Sequence, residues 1–342
     1  MNDHDENVLK LYSQWIKGSD EIMNYVVGID LGGTKIAAAL VDRDGNITAT
    51  AQRPTGVERG KEFVLQQIIK SAEDAIAIGN VTRQQVVAVG LGSPGIIDPK
   101  CGTVVGVTVN LPDWEGTPLK QILEDGLRLP AFVDNDVNVM TLGEWIFGAA
   151  RGAEHLVFIA IGTGIGGGII IDGKLHHGAR CTAAEVGHIT IIADGPPCAC
   201  GNYGCLEALA SGPAIARRAR EYIIKGVNTR LKRMVSTPDE ITAEKVAEAA
   251  RNGDELCRGI IEEAGRYIGV AIASLMNILD PDCIVIGGGV AQIGDMLLEP
   301  ARREVQRRAL SPAPILQTNF GVEAGQIGAA ALAWLNVEGK GA

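Results

Sequence analysis

Three of the seven cysteines, Cys198, Cys200 and Cys205, crowd into the octapeptide CACGNYGC, and His188 precedes them in the spacing His-x9-Cys-x-Cys-x4-Cys. In a reducing compartment such crowding points to metal rather than to disulfides. One imidazole and three thiolates make a closed tetrahedral set, the ligand set of structural Zn2+. No coordination position stays open for water, so the ion orders a loop and attacks nothing. Buried cysteines beside a core histidine would leave the clustering unexplained.

Glycine turns are the second chemical feature. AIGTGIGGGIIIDG, at 160–173, contains a formal G-x-G-x-x-G on Gly162, Gly164 and Gly167, and GLGSPG at 90–95 contains another. A dinucleotide turn needs a helix directly after its glycines, because the pyrophosphate rests on that helix N-terminus. Both patterns here run into β-branched, strand-forming residues, so NAD binding is disfavoured. GIDLGGTK, at 28–35, has the glycine spacing of a phosphate loop but ends Thr-Lys and is again followed by a strand pattern. What remains is a pair of hairpin turns, 32–34 and 162–164, whose small residues let backbone amides approach a phosphate. Asp30 stands at a strand end before the first.

The elements that position these residues follow from hydrophobic periodicity. Strands are expected at 25–31, 36–41, 47–52, 86–91, 131–133 and 283–286, and helices at 61–77, 138–147, 206–224, 254–279 and 325–335. A further helix is expected directly after Gly287-Gly288-Gly289. With an offset of 130, Gly32 falls on Gly162, Thr34 on Gly164 and Asp42 on Asp172. Strand, glycine turn and strand therefore occur twice, which predicts two related lobes with a ligand between them. With 44 glycines and only 4% aromatic residues, the composition is that of an α/β protein rich in tight turns. A formal net charge of −10 argues against a broad basic face for nucleic acid. The apolar runs are broken well before the roughly 20 residues a membrane span needs. The acidic start of the chain has no apolar signal core, and a cytoplasmic protein is expected.

IDLGGTKI, the NDVN of 135–138, IGTGIGGG, EVGH and CACGNYGCLE follow one another in the order and spacing of the ROK family (repressors, open reading frames, sugar kinases). The chain resembles that family from about Val26 to Ala333. The resemblance implies the actin-like ATPase (ribonuclease H-like) fold, α/β, with two lobes and a cleft between them. The division expected is an extension at 1–24, an N-terminal lobe at 25–140 and a C-terminal lobe with the zinc loop at 141–321. A helix at about 322–337 is expected to pack back on the first lobe. One branch of the family carries a winged helix-turn-helix, for which the residues before Tyr25 are too few.

The same resemblance implies site roles. Asp136 matches the catalytic base that takes the proton of a hexose 6-hydroxyl as it attacks the γ-phosphate of ATP. Asn135 holds neighbouring hydroxyls and Gly95 lets backbone approach the sugar. Strand alternation puts Asp134 and Asp136 on one face, so only the resemblance selects between them. His188, fixed by Zn2+ through one ring nitrogen, contacts the sugar with Glu185 and Glu207, since carboxylates accept from paired hydroxyls. Asp30 acts on Mg2+; Gly32, Gly33, Thr34 and Lys35 hold one side of the triphosphate, and Gly162, Thr163 and Gly164 the other, with Gly288 and Gly289 in a turn on the adenosine side. One departure stands out: the family's Ala-Gly-Glu is Ala183-Ala184-Glu185 here, which leaves hexose specificity open. The expected activity is a glucokinase giving glucose 6-phosphate, from a homodimer or homotetramer. An N-acetylhexosamine kinase or fructokinase is the alternative, and a non-catalytic sugar-responsive regulator the competitor from another class.

Overall fold

A computed structural model describes residues 24–106, 108 and 111–339, so the expected N-terminal extension lies, but for its last residue, outside them. The chain forms two compact units. The first holds the described residues up to Gly152, His177–Thr182 and those from Asn319 on; the second holds Ala153–His176 and Ala183–Thr318.

In the first unit, YVVGIDL is buried at nearly every position and forms β1 (Tyr25–Leu31). The glycine turn reverses the chain into β2 (Lys35–Val41), and Asp42 then accepts from the amides of Asp44 and Asn46, both at 2.9 Å, to set the turn into β3 (Ile47–Pro54). There follow α1 (Lys61–Ile78), β4 (Val86–Ser93), the short pair β5 (Ile97–Asp98) and β6 (Thr103–Val104), α2 (Leu119–Leu127), β7 (Ala131–Asn135) and α3 (Asp136–Ile146). The sheet runs β3-β2-β1-β4-β7, with β1, β4 and β7 parallel and β2 antiparallel to both its neighbours. Val64, Ile68, Ala72 and Ala75 of α1 and Leu119, Leu123 and Leu127 of α2 share one core with the sheet. Its other face carries the C-terminal helix, Ala324–Val337, through Ala330, Ala333 and Trp334. That helix lies close enough for a Cβ on Gly28 to strike the Gln326 carbonyl, and one on Gly90 the Ala329 carbonyl. Two glycines from phosphate-like patterns thus serve helix–sheet packing.

The second unit repeats the plan. It consists of β8 (Leu156–Ile161), β9 (Ile165–Ile171), β10 (Lys174–Leu175), α4 (Leu206–Ala210), α5 (Gly212–Ile224), α6 (Ala243–Arg251), α7 (Glu255–Leu279), β11 (Cys283–Gly287), α8 (Asp295–Arg308) and β12 (Ile315–Gln317). Its sheet runs β10-β9-β8-β11-β12, with β8, β11 and β12 parallel and β9 antiparallel to its neighbours. Strand for strand this is the order and direction of the first sheet. Leu206, Ala210, Ile215, Val246, Ile261, Ile268 and Leu297 bring its helices into one core with the sheet.

Two helices depart from the sequence expectation. The stretch 206–224 is broken because Ser211 is extended (φ −69°, ψ 166°) and its hydroxyl caps the Ala214 amide at 3.3 Å, with a proline in the first turn of α5. After the glycines at 287–289 comes a 3-10 turn, Gly289–Ile293, and α8 starts only at Asp295.

Candidate active site

Asn135 ends β7 and caps α3. Its Oδ1 accepts from the amides of Val137 at 2.9 Å and Asn138 at 3.2 Å, and its Nδ2 donates to the Gly95 carbonyl at 3.0 Å. Gly95 itself has φ +98°, a conformation that favours glycine. The cap makes Asp136 the first residue of α3, where the positive end of the helix dipole faces a carboxylate. Strand alternation therefore ends at Asn135, and Asp134 and Asp136 are not equivalent positions on one strand face. Asp134 is buried: Oδ1 accepts from the Asn135 amide at 2.7 Å and Asn138 Nδ2 at 2.9 Å, and Oδ2 from His177 Nε2 at 2.7 Å. Asp136 is half-buried, and burial, with the charge of Asp30, pushes it up to about 7 against the opposing hydrogen bonds of Val137 and Asn135. One carboxylate is fully engaged; the other has the proton affinity of a base working near neutrality.

Asp30 pairs with Ala37 of β2 and Gly92 of β4. Burial raises its pKa and Lys35 opposes the rise. Its carboxylate fills the space a Cβ on Gly325 would need, so it abuts the first turn of the C-terminal helix. Gly33, Thr34 and Lys35 are exposed. The turn is pinned to the end of β3, Thr55 donating through Oγ1 to the Gly32 carbonyl at 2.7 Å and through its amide to the Thr34 carbonyl at 3.0 Å. Asp30, Gly95, Asn135 and Asp136 all stand at or just beyond the carboxyl ends of the parallel strands β1, β4 and β7, where α/β sheets bind ligands.

In the second unit the glycine turn is held by Gly162, whose amide donates to Gly164 at 2.8 Å and whose carbonyl accepts from the Gly212 amide at 2.9 Å. Thr163 is exposed, and nothing lies within 4 Å of where a Cβ on Gly162 would stand. Gly288, at φ +87°, sits against the Ile161 carbonyl, so Gly288 and Gly289 adjoin this turn at the carboxyl ends of β8 and β11.

His188, Cys198, Cys200 and Cys205 bring one donor atom each into a cluster no wider than 4.8 Å. Cys200 and Cys205 sulfurs are 3.7 Å apart, and His188 Nδ1 is 3.7 Å from the Cys198 sulfur. A tetrahedron with Zn–S bonds of about 2.3 Å has S···S edges of about 3.8 Å, so the residues fit a zinc ion. Burial pushes the Cys205 thiol up to about 12 and raises Cys198, while the Asn202 amide holds Cys200 below the usual thiol range. Nδ1 faces the thiols, which leaves Nε2 as the nitrogen outside the cluster. Glu207 bridges this loop and the glycine turn: Oε2 accepts from the Ile165 amide at 3.0 Å, and Oε1 lies 3.9 Å from the Cys198 sulfur. A Cβ on Gly164 would stand 2.6 Å from Glu207 Oε2, so a side chain there would push that carboxylate from its place at the Ile165 amide. Glu185 is exposed, its carbonyl accepting from the His188 amide at 3.0 Å.

Ala184 takes φ +65°, the left-handed region, where a Cβ costs about 1 kcal/mol. This is the position at which the sequence departs from the usual glycine. Ala184→Gly is expected to stabilise the protein by about 0.5–1 kcal/mol, a rise in Tm of roughly 1–4 °C by calorimetry. A lower Tm would mean that the methyl group packs productively.

Sequence reasoning passed over His177 and Asn138. Asn138 was accessible as the last residue of the NDVN motif, in the first turn of α3 that follows the strand holding Asp134. His177 had no signal, because its partner lies 43 residues away.

Two sheets of one strand order, a glycine hairpin at the head of each and polar groups at the carboxyl ends define the actin-like ATPase fold. The chain belongs to the ROK family, matching it over residues 26–335. It is 37% identical to a glucokinase of Halalkalibacterium halodurans over 309 residues, 89% of this chain and 93% of that protein. A glucokinase of Thermotoga maritima is 38% identical over 280 residues, covering 82% and 86% of the two chains. Among solved structures, a ROK family glucokinase from Streptomyces griseus in complex with glucose and AMPPNP superposes with a TM-score of 0.78 at 36% identity, covering 91% of this chain and 99% of that one. Among the described residues no helix is long and apolar enough to cross a membrane.

Proposed function

We propose that this chain is an ATP-dependent glucokinase that phosphorylates the 6-hydroxyl of glucose. The observation that carries the reading is Asp136: a carboxyl raised to about 7 at the capped start of α3, one residue from an asparagine that holds the Gly95 backbone. Asp136 accepts the hydroxyl proton as the oxygen attacks the γ-phosphate, and Asn135 holds the neighbouring hydroxyls. His188, through Nε2, with Glu185 and Glu207, recognises the remaining hydroxyls. Gly32–Thr34 with Lys35 and Gly162–Gly164 supply backbone amides and one charge to the triphosphate, with Gly288 and Gly289 on the adenosine side. Asp30 suits Mg2+, which keeps most of its waters and takes only one or two protein carboxylates. When bound, the ion neutralises charge on the phosphates. The zinc cluster has a positional role, since it fixes His188 and, through the chain after Cys205, Glu207. A cytoplasmic homodimer or homotetramer completes the reading.

A coupled ADP-release assay across glucose, mannose, fructose and the N-acetylhexosamines tests it. Glucose is expected to give the highest kcat/KM. A preference for fructose or an N-acetylhexosamine would reassign the substrate. Hexose binding without ADP release would favour a regulator.

A further inference from the structure

We propose that His177 is a positioning residue of the sugar site, acting through Asp134 on Asn135 and Asp136. This rests on the kinase reading above.

Asp134 is only 1% exposed. A carboxylate so buried is tolerated only when it is hydrogen-bonded and paired. His177 is its one ion-pair partner among the described residues, with Nε2 at 2.7 Å from Oδ2, a charge-assisted distance. The other oxygen, Oδ1, takes the Asn135 amide and the Asn138 side chain. Asp134 therefore grips the α3 cap at both ends: at Asn135, whose side chain caps the helix and holds Gly95, and at Asn138, whose amide that cap receives. Asp136 lies between the two gripped residues.

His177 does not come from a neighbouring element. It opens His177–Thr182, a short segment that packs with the first unit although the chain on both sides belongs to the second. Burial opposes charge on the ring, but the hydrogen bond and charge of Asp134, with Asp98, outweigh it and raise the His177 pKa. Without His177, Oδ2 of Asp134 loses its donor and the buried carboxylate must turn toward others. That movement disturbs the bonds at Oδ1, and with them the cap that aims Asn135 and Asp136.

The test compares the wild type with H177A, H177Q and H177N by steady-state kinetics, hexose calorimetry and Tm. Gln places a donor nitrogen where His Nε2 stands, whereas the shorter Asn does not reach it. H177A is expected to lower kcat by about tenfold to a hundredfold and to weaken hexose binding several-fold, with the KM for ATP unchanged. H177Q should recover to within about threefold of the wild type, and H177N should not. If H177A does not fold, the contrast between H177Q and H177N at equal Tm decides. Normal kcat and hexose affinity in both, or in a folded H177A, would overturn the positioning role, whatever the change in Tm. A wild type that binds hexose but releases no ADP would overturn the kinase reading instead. The hexose affinities of the variants would then still decide for or against His177. A wild type that neither binds nor phosphorylates a hexose overturns both.

Discussion

Asp136→Asn is expected to lower kcat by about 10²–10⁴-fold, the range for losing a positioned general base, while hexose affinity changes little. The amide has the shape of the carboxyl and leaves the Asn135 cap intact, but it cannot take a proton. The pH profile is the sharper signature. With the carboxyl at about 7, the wild-type kcat/KM should fall about tenfold per pH unit below neutrality, as the base becomes protonated. The variant's residual rate should show no such limb. Stability should move the other way. A carboxyl raised from 3.8 to about 7 binds its proton more tightly in the folded state, so its ionisation destabilises the fold as pH rises from about 4 to above 7. The variant should therefore be more stable than the wild type at pH 8, by something of order 1–4 kcal/mol, and equally stable near pH 4. A variant with normal kcat would remove Asp136 from the chemistry. A stability gain independent of pH would mean that burial is not what holds its pKa up.

That Asp136 stands apart from Asp134 was not legible in the sequence. VDNDVN reads as a strand running into a helix, and Asn135 is as acceptable at a strand end as at a helix cap. It takes both, ending β7 and capping α3 through Oδ1, while its Nδ2 holds the Gly95 carbonyl, 40 residues earlier in the chain. Local patterns fared better. YVVGIDL and LVFIAI are short apolar runs beside glycine hairpins, and they became β1 and the central strand of the second sheet, in sheets of one order. The glycines show both outcomes. Gly162 and Gly164 stand in a turn, as their spacing predicts, but Gly28 and Gly90 make room for a helix from the far end of the chain. That second role is invisible until the partner is known. Ala184 is intermediate: the resemblance marked it as a departure, and its φ supplies the reason glycine is usual there.

Loss of the zinc cluster is expected to damage stability and sugar affinity together, because of what the loop is built from. Between His188 and Cys205 the chain has no helix or long strand, only turns joined by bonds such as Ile191 amide to Gly204 carbonyl at 2.8 Å and Cys198 amide to Asn202 carbonyl at 2.8 Å. Such a segment buries little apolar surface, so a bound metal would be its main source of order. Cys205 is the residue before α4, and Glu207 lies in the first turn of that helix, holding the Ile165 amide beside the glycine turn. Cys200→Ser alters an exposed ligand rather than the core, which makes it the cleaner variant. It should lose the single zinc per chain that elemental analysis is expected to find in the wild type. Its Tm should fall by roughly 5–15 °C, and the KM for glucose should rise more than the KM for ATP. Prolonged chelation of the wild type should reproduce both effects, and added Zn2+ should reverse them. A wild type without bound metal, or a variant with unchanged Tm and sugar KM, would leave the three thiols and the imidazole as a cluster with no structural role. A fall in Tm with unchanged sugar KM would separate the metal from the site: the ion would order the loop, and His188 and Glu207 would be held by the protein alone.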